Sequence, residues 1–95
     1  MTEAVLQKKI REHIKNKYRG ICIKYHGSIY SQAGVADLLC VIAGRACAFE
    51  VKKKDGKVTK LQELFLKEWA EHGAITGVVR SCEDVDALLK KVMHS

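Results

Sequence analysis

Two acidic side chains and one basic side chain interrupt otherwise apolar, strand-like segments in the middle of this 95-residue chain. Asp37 directly precedes an apolar run that ends at Ile42. Glu50 and Lys52 flank Val51 a few residues later. Burying an unpaired charge costs several kcal/mol, so charges persist in a core mainly where they pair with one another or hold a metal. These three residues therefore favour folds in which the two segments bring their charges together.

The spacing of these residues predicts how they meet. Side chains two residues apart point to the same face of an extended strand, so Glu50 and Lys52 share a face. If the second segment pairs antiparallel with the first, Asp37 comes within reach of that face. Two acids and a lysine at one point are typical of sites that hold a divalent cation and activate a water for phosphodiester hydrolysis. The alternative is an ordinary exposed strand, on which such charges simply lie in water.

The hydrophobic pattern predicts the order helix, three strands, helix, strand, helix, and hence an α/β fold with a mixed four-stranded sheet flanked by helices. Thr2, Thr59 and Ser81 are the predicted N-caps, and Thr59 opens a capping box. A strand, helix, strand crossover makes the last two strands parallel. The predicted strands are residues 21–25, 36–42, 46–53 and 74–79, with a turn at 43–45. The predicted inward side chains are Leu6, Ile10, Ile14 and Tyr18 in the first helix, Leu61, Leu64, Phe65 and Trp69 in the second, and Val85, Leu88, Leu89 and Val92 in the third.

The sequence around the three charges resembles the active-site pattern of the PD-(D/E)XK nuclease superfamily. Gly34 stands three residues before Asp37, an apolar Leu-Leu-Cys-Val run follows the acid, and Glu50 and Lys52 form the Glu-x-Lys pair. Gln62 lies in the helix that comes next. The resemblance implies a restriction-endonuclease-like αβββαβα core.

Within this superfamily, the chain most resembles the small stand-alone VRR-NUC domains, which are Holliday-junction-resolvase-like and often phage-borne. The similarity runs from Glu3 to Arg80, and it implies one domain over residues 1–95. Two positions depart from the pattern. Ala36 stands where the superfamily usually has Pro, and Ser81 stands where a second Arg is expected. The Pro has no chemical role, so Ala36 leaves the implied mechanism intact, whereas Ser81 leaves the subfamily open.

The resemblance also implies a role for each site residue. Asp37 and Glu50 would ligate Mg²⁺ or Mn²⁺, with the backbone carbonyl of Val51 as a further ligand. Lys52 would orient or activate the attacking water and steady the developing charge. Gln62 would contact the site or the substrate, although a capping-box Gln needs no other role.

Glu3 is the remaining candidate for the metal site. It lies on the helical face of Leu6 and Ile10, so its carboxylate is aimed at the core side of the first helix. The resemblance implies that an acid at this position joins the metal site directly or through water. The alternative is a first-turn Glu that the helix dipole favours.

The chain carries 17 basic and 11 acidic residues, a net charge of +6, and the basic residues form two clusters. A field of that sign attracts the phosphate backbone of nucleic acids. The second cluster flanks the proposed site, and we expect it to bind DNA through Lys53, Lys54, Lys57 and Lys60. The first cluster is equally consistent with a binding surface or a solvated helix face, and it comprises Lys8, Lys9, Arg11, Lys15, Lys17 and Arg19.

Composition predicts an intracellular protein, and the resemblance implies the cytoplasm of a bacterial or phage-infected cell. No apolar run approaches the ~20 residues of a membrane span, and the N-terminus does not resemble a signal peptide. No Cys-x-x-Cys pair occurs, so we expect all four cysteines, Cys22, Cys40, Cys47 and Cys82, to be free thiols rather than zinc ligands. His26 is predicted to be a polar loop residue.

These expectations combine into a metal-dependent, structure-selective DNA endonuclease that acts on branched DNA such as four-way junctions. The rival hypothesis is a non-catalytic nucleic-acid-binding or assembly module on the same fold. We expect a homodimer, because one site cuts one strand and processing of two strands needs a second copy. Tyr25, Ile29 and Tyr30 are apolar candidates for its interface.

Overall fold

A mixed four-stranded sheet lies between helices in the computed structural model, which describes residues 1–27 and 32–93. Its strands are ordered β1-β2-β3-β4. The elements are α1 (Glu3–Tyr18), β1 (Ile21–Lys24), β2 (Leu38–Ile42), β3 (Arg45–Val51), α2 (Lys60–Glu71), β4 (Ile75–Val79) and α3 (Cys82–Met93). The predicted order of elements and the α/β class are confirmed.

The pairing of the strands follows from their connections. β1, β2 and β3 are antiparallel neighbours, and β3 and β4 are parallel because α2 crosses between them. The β2–β3 hairpin turns on Ala43 and Gly44, whose φ angles are 51° and 80°. Two positive φ values fit a two-residue turn that matches strand twist, so β3 begins at Arg45 instead of inside a longer turn.

The two faces of the sheet carry separate cores. The larger core joins α1 and α3 to one face, with Ile10, Leu38, Phe49 and Val85 among its fully buried side chains. The smaller core joins α2 to the other face, where Phe65 packs near Ala48 of β3. Because side chains alternate along β3, Glu50 lies on the same face as Ala48 and is turned toward α2.

The helix starts agree with the predicted caps. The Oγ1 atoms of Thr2 and Thr59 accept from backbone N–H groups three residues on, and Thr59 forms a full capping box. Ser81 Oγ likewise accepts from the N–H of Asp84. The prediction was wrong for Leu61 and Leu64, which are exposed, because α2 turns Phe65 and Leu66 to the sheet instead.

The prediction of four free thiols was wrong for Cys22 and Cys40, which form a disulfide between β1 and β2. The register places these two residues directly opposite each other, with Cα atoms 4.1 Å apart. Cys47 and Cys82 are free. Ile29 and Tyr30 of the predicted interface lie outside the described residues, and Tyr25 is half-buried. In the two described ranges, no helix is long and apolar enough to cross a membrane.

Candidate active site

Asp37 stands at the entrance to β2, next to the end of β3. The antiparallel register pairs Leu38 with Phe49, so the residue before β2 lies beside Glu50 and Val51. Asp37 Oδ2 accepts a hydrogen bond from the N–H of Val51 at 2.9 Å. The structure therefore brings the first predicted acid to the predicted Glu-x-Lys pair.

Glu50 is an almost fully buried acid, with 2% of its surface exposed. Its Oε2 accepts from Gln62 Nε2 at 2.9 Å and lies 3.5 Å from Lys52 Nζ. Its Oε1 is buried and has no hydrogen-bond partner among the described residues. A buried carboxylate oxygen without a partner is costly, so this atom is the unsatisfied point of the site.

The environment of Glu50 raises its pKa from 4.5 to about 7. Burial is the largest cause, and the negative charge of the adjacent Asp37 carboxyl adds to it. The ammonium of Lys52 acts in the opposite direction and only partly offsets these effects. Without a further positive charge, Glu50 therefore keeps its proton up to near neutral pH.

The donor set suits a hard divalent cation. Mg²⁺ and Mn²⁺ prefer carboxylate and carbonyl oxygens, and the free Glu50 Oε1 beside Asp37 offers such oxygens. A cation there would replace the proton on Glu50 and offset the repulsion between the two acids. Val51, the third predicted ligand, lies between Glu50 and Lys52 at the end of β3.

Glu3 lies at the edge of this site and not within the carboxylate pair. Its Oε2 accepts from the N–H of Lys53 at 3.3 Å. Within the described residues, no three His, Cys, Asp or Glu side chains form one cluster, so Glu3 does not complete a three-carboxylate group with Asp37 and Glu50. The structure thus brings the N-terminus of α1 to the Lys52 end of β3, and it places the Glu3 carboxylate on the backbone there.

Gln62 serves both of the roles that its sequence position suggested. Its Oε1 accepts from the N–H of Thr59 at 2.9 Å, which closes the capping box. Its Nε2 donates to Glu50 at 2.9 Å. One amide therefore fixes the start of α2 and orients the buried acid.

Arg80 is a site residue that sequence reasoning missed. Directly after β4, its Nη1 donates to the backbone carbonyls of Lys53, Lys54 and Gly56, the last at 2.9 Å. Because Nη1 carries only two N–H groups, at least one is shared between two carbonyls. The turn after Lys52 is thus held from one side by Arg80 and from the other by Glu3. An Arg at the end of a strand parallel to β3 was the only available signal.

The four predicted DNA-binding lysines, Lys53, Lys54, Lys57 and Lys60, are all exposed around the turn that follows β3. They lie on the segment that leads from Lys52 to the first residue of α2. His26 is also exposed. A cavity of about 780 Å³ lies at the opposite end of β3, between Arg45 and Trp69, and contains none of the predicted site residues.

Two solved structures share the fold of this chain. A structure described as "VRR_NUC domain" is 27% identical, with a TM-score of 0.74 over 95% of this chain and 96% of that chain. A second, described as "VRR_NUC domain protein", is 19% identical, with a TM-score of 0.74 over 99% of this chain and 89% of that chain. At 19% identity the likeness shows the fold alone. No protein-family model matches the sequence, and no curated protein matches it significantly.

The shared fold extends over nearly the whole chain, and the elements of that fold carry Asp37, Glu50 and Lys52 to one point. From these observations the chain is identified as a VRR-NUC domain, a domain of a nuclease family.

Proposed function

We propose that this protein is a Mg²⁺- or Mn²⁺-dependent DNA endonuclease that hydrolyses phosphodiester bonds. The observation that carries the proposal is the free, buried Glu50 Oε1 beside Asp37, with Lys52 Nζ 3.5 Å from the other oxygen of the same carboxylate. A purely structural core has no use for an unpartnered buried oxygen. A catalytic site has a use for it, because a bound cation would satisfy it.

Each residue has a defined role in this reaction. Asp37, Glu50 and the Val51 carbonyl would hold the cation, which supplies Lewis acidity at the scissile phosphate and lowers the pKa of water. Lys52 would orient the attacking water and donate to the negative charge that develops on the phosphate. Gln62 keeps the Glu50 carboxylate in one orientation. Glu3, on the Lys53 N–H, would reach the cation only through water.

DNA is the proposed substrate, held by its phosphates. Lys53, Lys54, Lys57 and Lys60 are exposed on the segment that follows Lys52, so their charges would attract the strand and offset the repulsion between phosphate and acid. The same lysines would also serve a non-catalytic binding module. That alternative is tested by turnover, because binding alone does not require the carboxylate pair.

We further propose a homodimer that prefers branched DNA. A single site cuts one strand, and a two-fold axis would place a second site on the opposite strand. Exposed apolar side chains of β1 and β2 support a second copy on the face of the sheet that points away from α1, with Ile21 72%, Ile23 63% and Val41 44% exposed. Sedimentation at micromolar protein should report a mass near twice 10.6 kDa. A monomer that resolves a junction as fast as it cuts a duplex would contradict both proposals.

The deciding experiment is a cleavage assay on linear, flap, splayed and four-way DNA, with supercoiled plasmid as a sensitive test for nicking. We expect cleavage with Mg²⁺ or Mn²⁺, a rise in rate from pH 6 to about 8, and binding without turnover in Ca²⁺, which is larger and less polarising. Cleavage of the same junction built from RNA tests whether the protein distinguishes DNA from RNA. Cleavage in EDTA would reject the metal dependence, and DNA binding without any cleavage would favour the non-catalytic module.

A further inference from the structure

A groove of about 400 Å³ separates α1 from β1, the edge strand of the sheet. Its α1 wall carries three basic side chains, Lys8, Arg11 and Lys15, and one acid, Glu12. Backbone and side-chain atoms of Gly20, Ile21 and Cys22 form the other wall. The groove lies outside the carboxylate site, and its lining is strongly positive.

The fold divides the basic residues of α1 into two sets. Lys17 pairs with Asp86 of α3 at 3.1 Å, and the backbone carbonyl of Lys9 faces Cys82 of α3. These residues lie on the side of the helix that packs against α3. Lys8, Arg11 and Lys15 are three and four residues apart, so they lie together on one side of α1. That side faces away from α3 and lines the groove. The basic cluster of the sequence is therefore not one uniform solvated face.

Arg11 supplies the second observation. Its side chain is half-buried, and its Nε is buried without a hydrogen-bond acceptor in the part of the chain that the structure describes. A buried donor that has given up water without gaining a partner lowers stability. Guanidinium groups bind phosphate oxygens strongly, so a phosphate in the groove would supply the acceptor that Arg11 Nε lacks once the half-buried side chain turns toward the groove.

The dimensions fit a nucleic-acid strand. At 1.5 Å per residue, Lys8 and Lys15 are about 10 Å apart along the helix axis. For a duplex whose axis runs along the groove, this length corresponds to about three phosphates of one strand at about 3.4 Å axial rise each. The same helix begins with Glu3, whose carboxylate contacts Lys53 beside the active site. The groove thus starts about 8 Å along the axis from that contact and leads away from the site.

We propose that this groove is a second binding site for the phosphate backbone of DNA, where it holds about three phosphates of an arm that leaves the active site. The inference rests on the proposed nuclease function and extends it, because it assigns the surface that binds DNA away from the scissile bond. Lys8, Arg11 and Lys15 bind this arm, and the lysines around the β3–α2 turn bind the strand at the site.

The test compares two triple variants in a Glu50→Gln background, so that binding is measured without turnover. The groove variant is Lys8→Gln/Arg11→Gln/Lys15→Gln. Its matched control is Lys67→Gln/Lys90→Gln/Lys91→Gln, which removes the same charge from exposed positions on α2 and α3. Affinity for a fluorescent duplex and a four-way junction is measured from about 50 to 300 mM salt, a range over which binding to phosphates weakens steeply.

We expect the groove variant to bind DNA at least about tenfold more weakly than the parent protein. The plot of log K against log salt should also become less steep by about 2 to 3, because each phosphate that is no longer neutralised removes about 0.9 from the magnitude of its slope. The control should change the slope by less than about 1. Arg11→Lys keeps the charge, so it should keep the slope while weakening binding. If the triple variant does not fold, Lys8→Gln/Lys15→Gln at two exposed positions should lower the slope by about 2.

Equal slopes for the groove variant and its control would overturn the inference. The outcome is separate from the nuclease proposal, because wild-type cleavage is scored independently. A protein that cuts DNA but shows equal slopes keeps its proposed function and loses the groove. A protein that does not cut DNA but shows the reduced slope keeps the groove and loses the enzyme. A protein that binds no DNA at any salt contradicts both.

Discussion

Gln62 donates from its Nε2 to Glu50 Oε2 at 2.9 Å while its Oε1 accepts from the N–H at the start of α2. A helix cap and the buried acid of the site therefore share one side-chain amide. The helix start cannot move without moving a hydrogen-bond donor away from Glu50. This coupling explains how a short α/β domain holds its buried carboxylate in one orientation.

Gln62→Glu should separate the two roles of this amide. A carboxylate can still accept from the Thr59 N–H, so the cap survives, but the donor to Glu50 becomes a repelling acid. We expect cleavage to fall at least about tenfold, the loss assigned to one removed positioning hydrogen bond, while the circular dichroism of α2 is kept. Single-turnover rates report the chemical step.

The matched control is Thr59→Ala. It removes the other half of the capping box and should cost about 1 kcal/mol of stability without touching Glu50. If Thr59→Ala and Gln62→Glu slow cleavage equally, the role of Gln62 is confined to the helix.

Asp37→Asn, Glu50→Gln and Lys52→Ala should each abolish cleavage and leave the fold and DNA binding largely intact. Each carboxamide keeps the volume of the acid but removes a charge that the proposed cation needs. Rates should fall below about one per cent of wild type, as expected for loss of a metal or general-base contribution. Glu63→Gln and Lys67→Ala, at exposed positions of α2, are the controls. Retained cleavage in any of the three would remove that residue from the mechanism.

The raised pKa of Glu50 predicts how stability changes with pH in metal-free protein. Its folded pKa is about 7 against 4.5 in the unfolded chain, so its contribution is complete below pH 4.5 and is lost as pH rises through 7. Glu50→Gln does not titrate. Its stability relative to wild type should therefore increase between pH 4.5 and 7, by up to about 3 kcal/mol.

Urea unfolding in EDTA at several pH values measures this difference. Adding Mg²⁺ or Mn²⁺ at about pH 8 should raise wild-type stability and not that of Glu50→Gln, because a ligand that binds only the folded state stabilises it. A stability difference that does not vary with pH would mean that Glu50 is not titrating in the folded protein.

The fold was predictable because its signals are local. Capping residues such as Thr2 and Ser81, apolar periodicity and turn glycines act within a few residues of chain, so the element order followed from them. The strand register is set by contacts between distant segments. The sequence therefore did not reveal that Cys22 and Cys40 lie opposite each other. The face of α2 that is buried also depends on how the helix packs against the sheet. Leu61 was therefore wrongly predicted to point inward.

The site was predictable as a set of charges and not as a set of contacts. The spacing predicted that Asp37 would come within reach of the Glu-x-Lys pair if the two strands paired antiparallel, and the structure brings them together. Backbone partners of side chains have no sequence signature. Two sets of hydrogen bonds could therefore not be anticipated, although both support the turn after Lys52. Glu3 accepts from the Lys53 N–H, and Arg80 donates to three backbone carbonyls.

Arg80→Ala should slow cleavage because Arg80 acts as a positioning residue for Lys52. Its guanidinium holds the turn that directly follows that lysine. We expect kcat to fall about tenfold, the effect of ~1.4 kcal/mol of lost positioning, with KM changed less. Arg45→Ala is the control, because Arg45 Nη2 donates to the Gly73 carbonyl at the other end of the sheet. If both variants lose activity in proportion to their lost stability, Arg80 has only a structural role.

Asp86 should stabilise the contact between α1 and α3 down to low pH. Burial acts to raise the pKa of Asp86, but hydrogen bonds from Tyr18, His13 and Lys17 outweigh it and lower the pKa from 3.8 to about 2. Its contribution is therefore present above pH 3.8 and is lost as pH falls through 2. We expect Asp86→Asn to cost about 1–2 kcal/mol at pH 7, since the group is partly exposed and its bonds are partly screened. The difference from wild type should shrink between about pH 4 and 2 in urea unfolding. The control is Asp55→Asn, in the exposed turn after β3, which should show no such loss of stability. If Asp86→Asn lowers stability equally at neutral and at acid pH, the contact between α1 and α3 depends on the shape of the side chain and not on its charge.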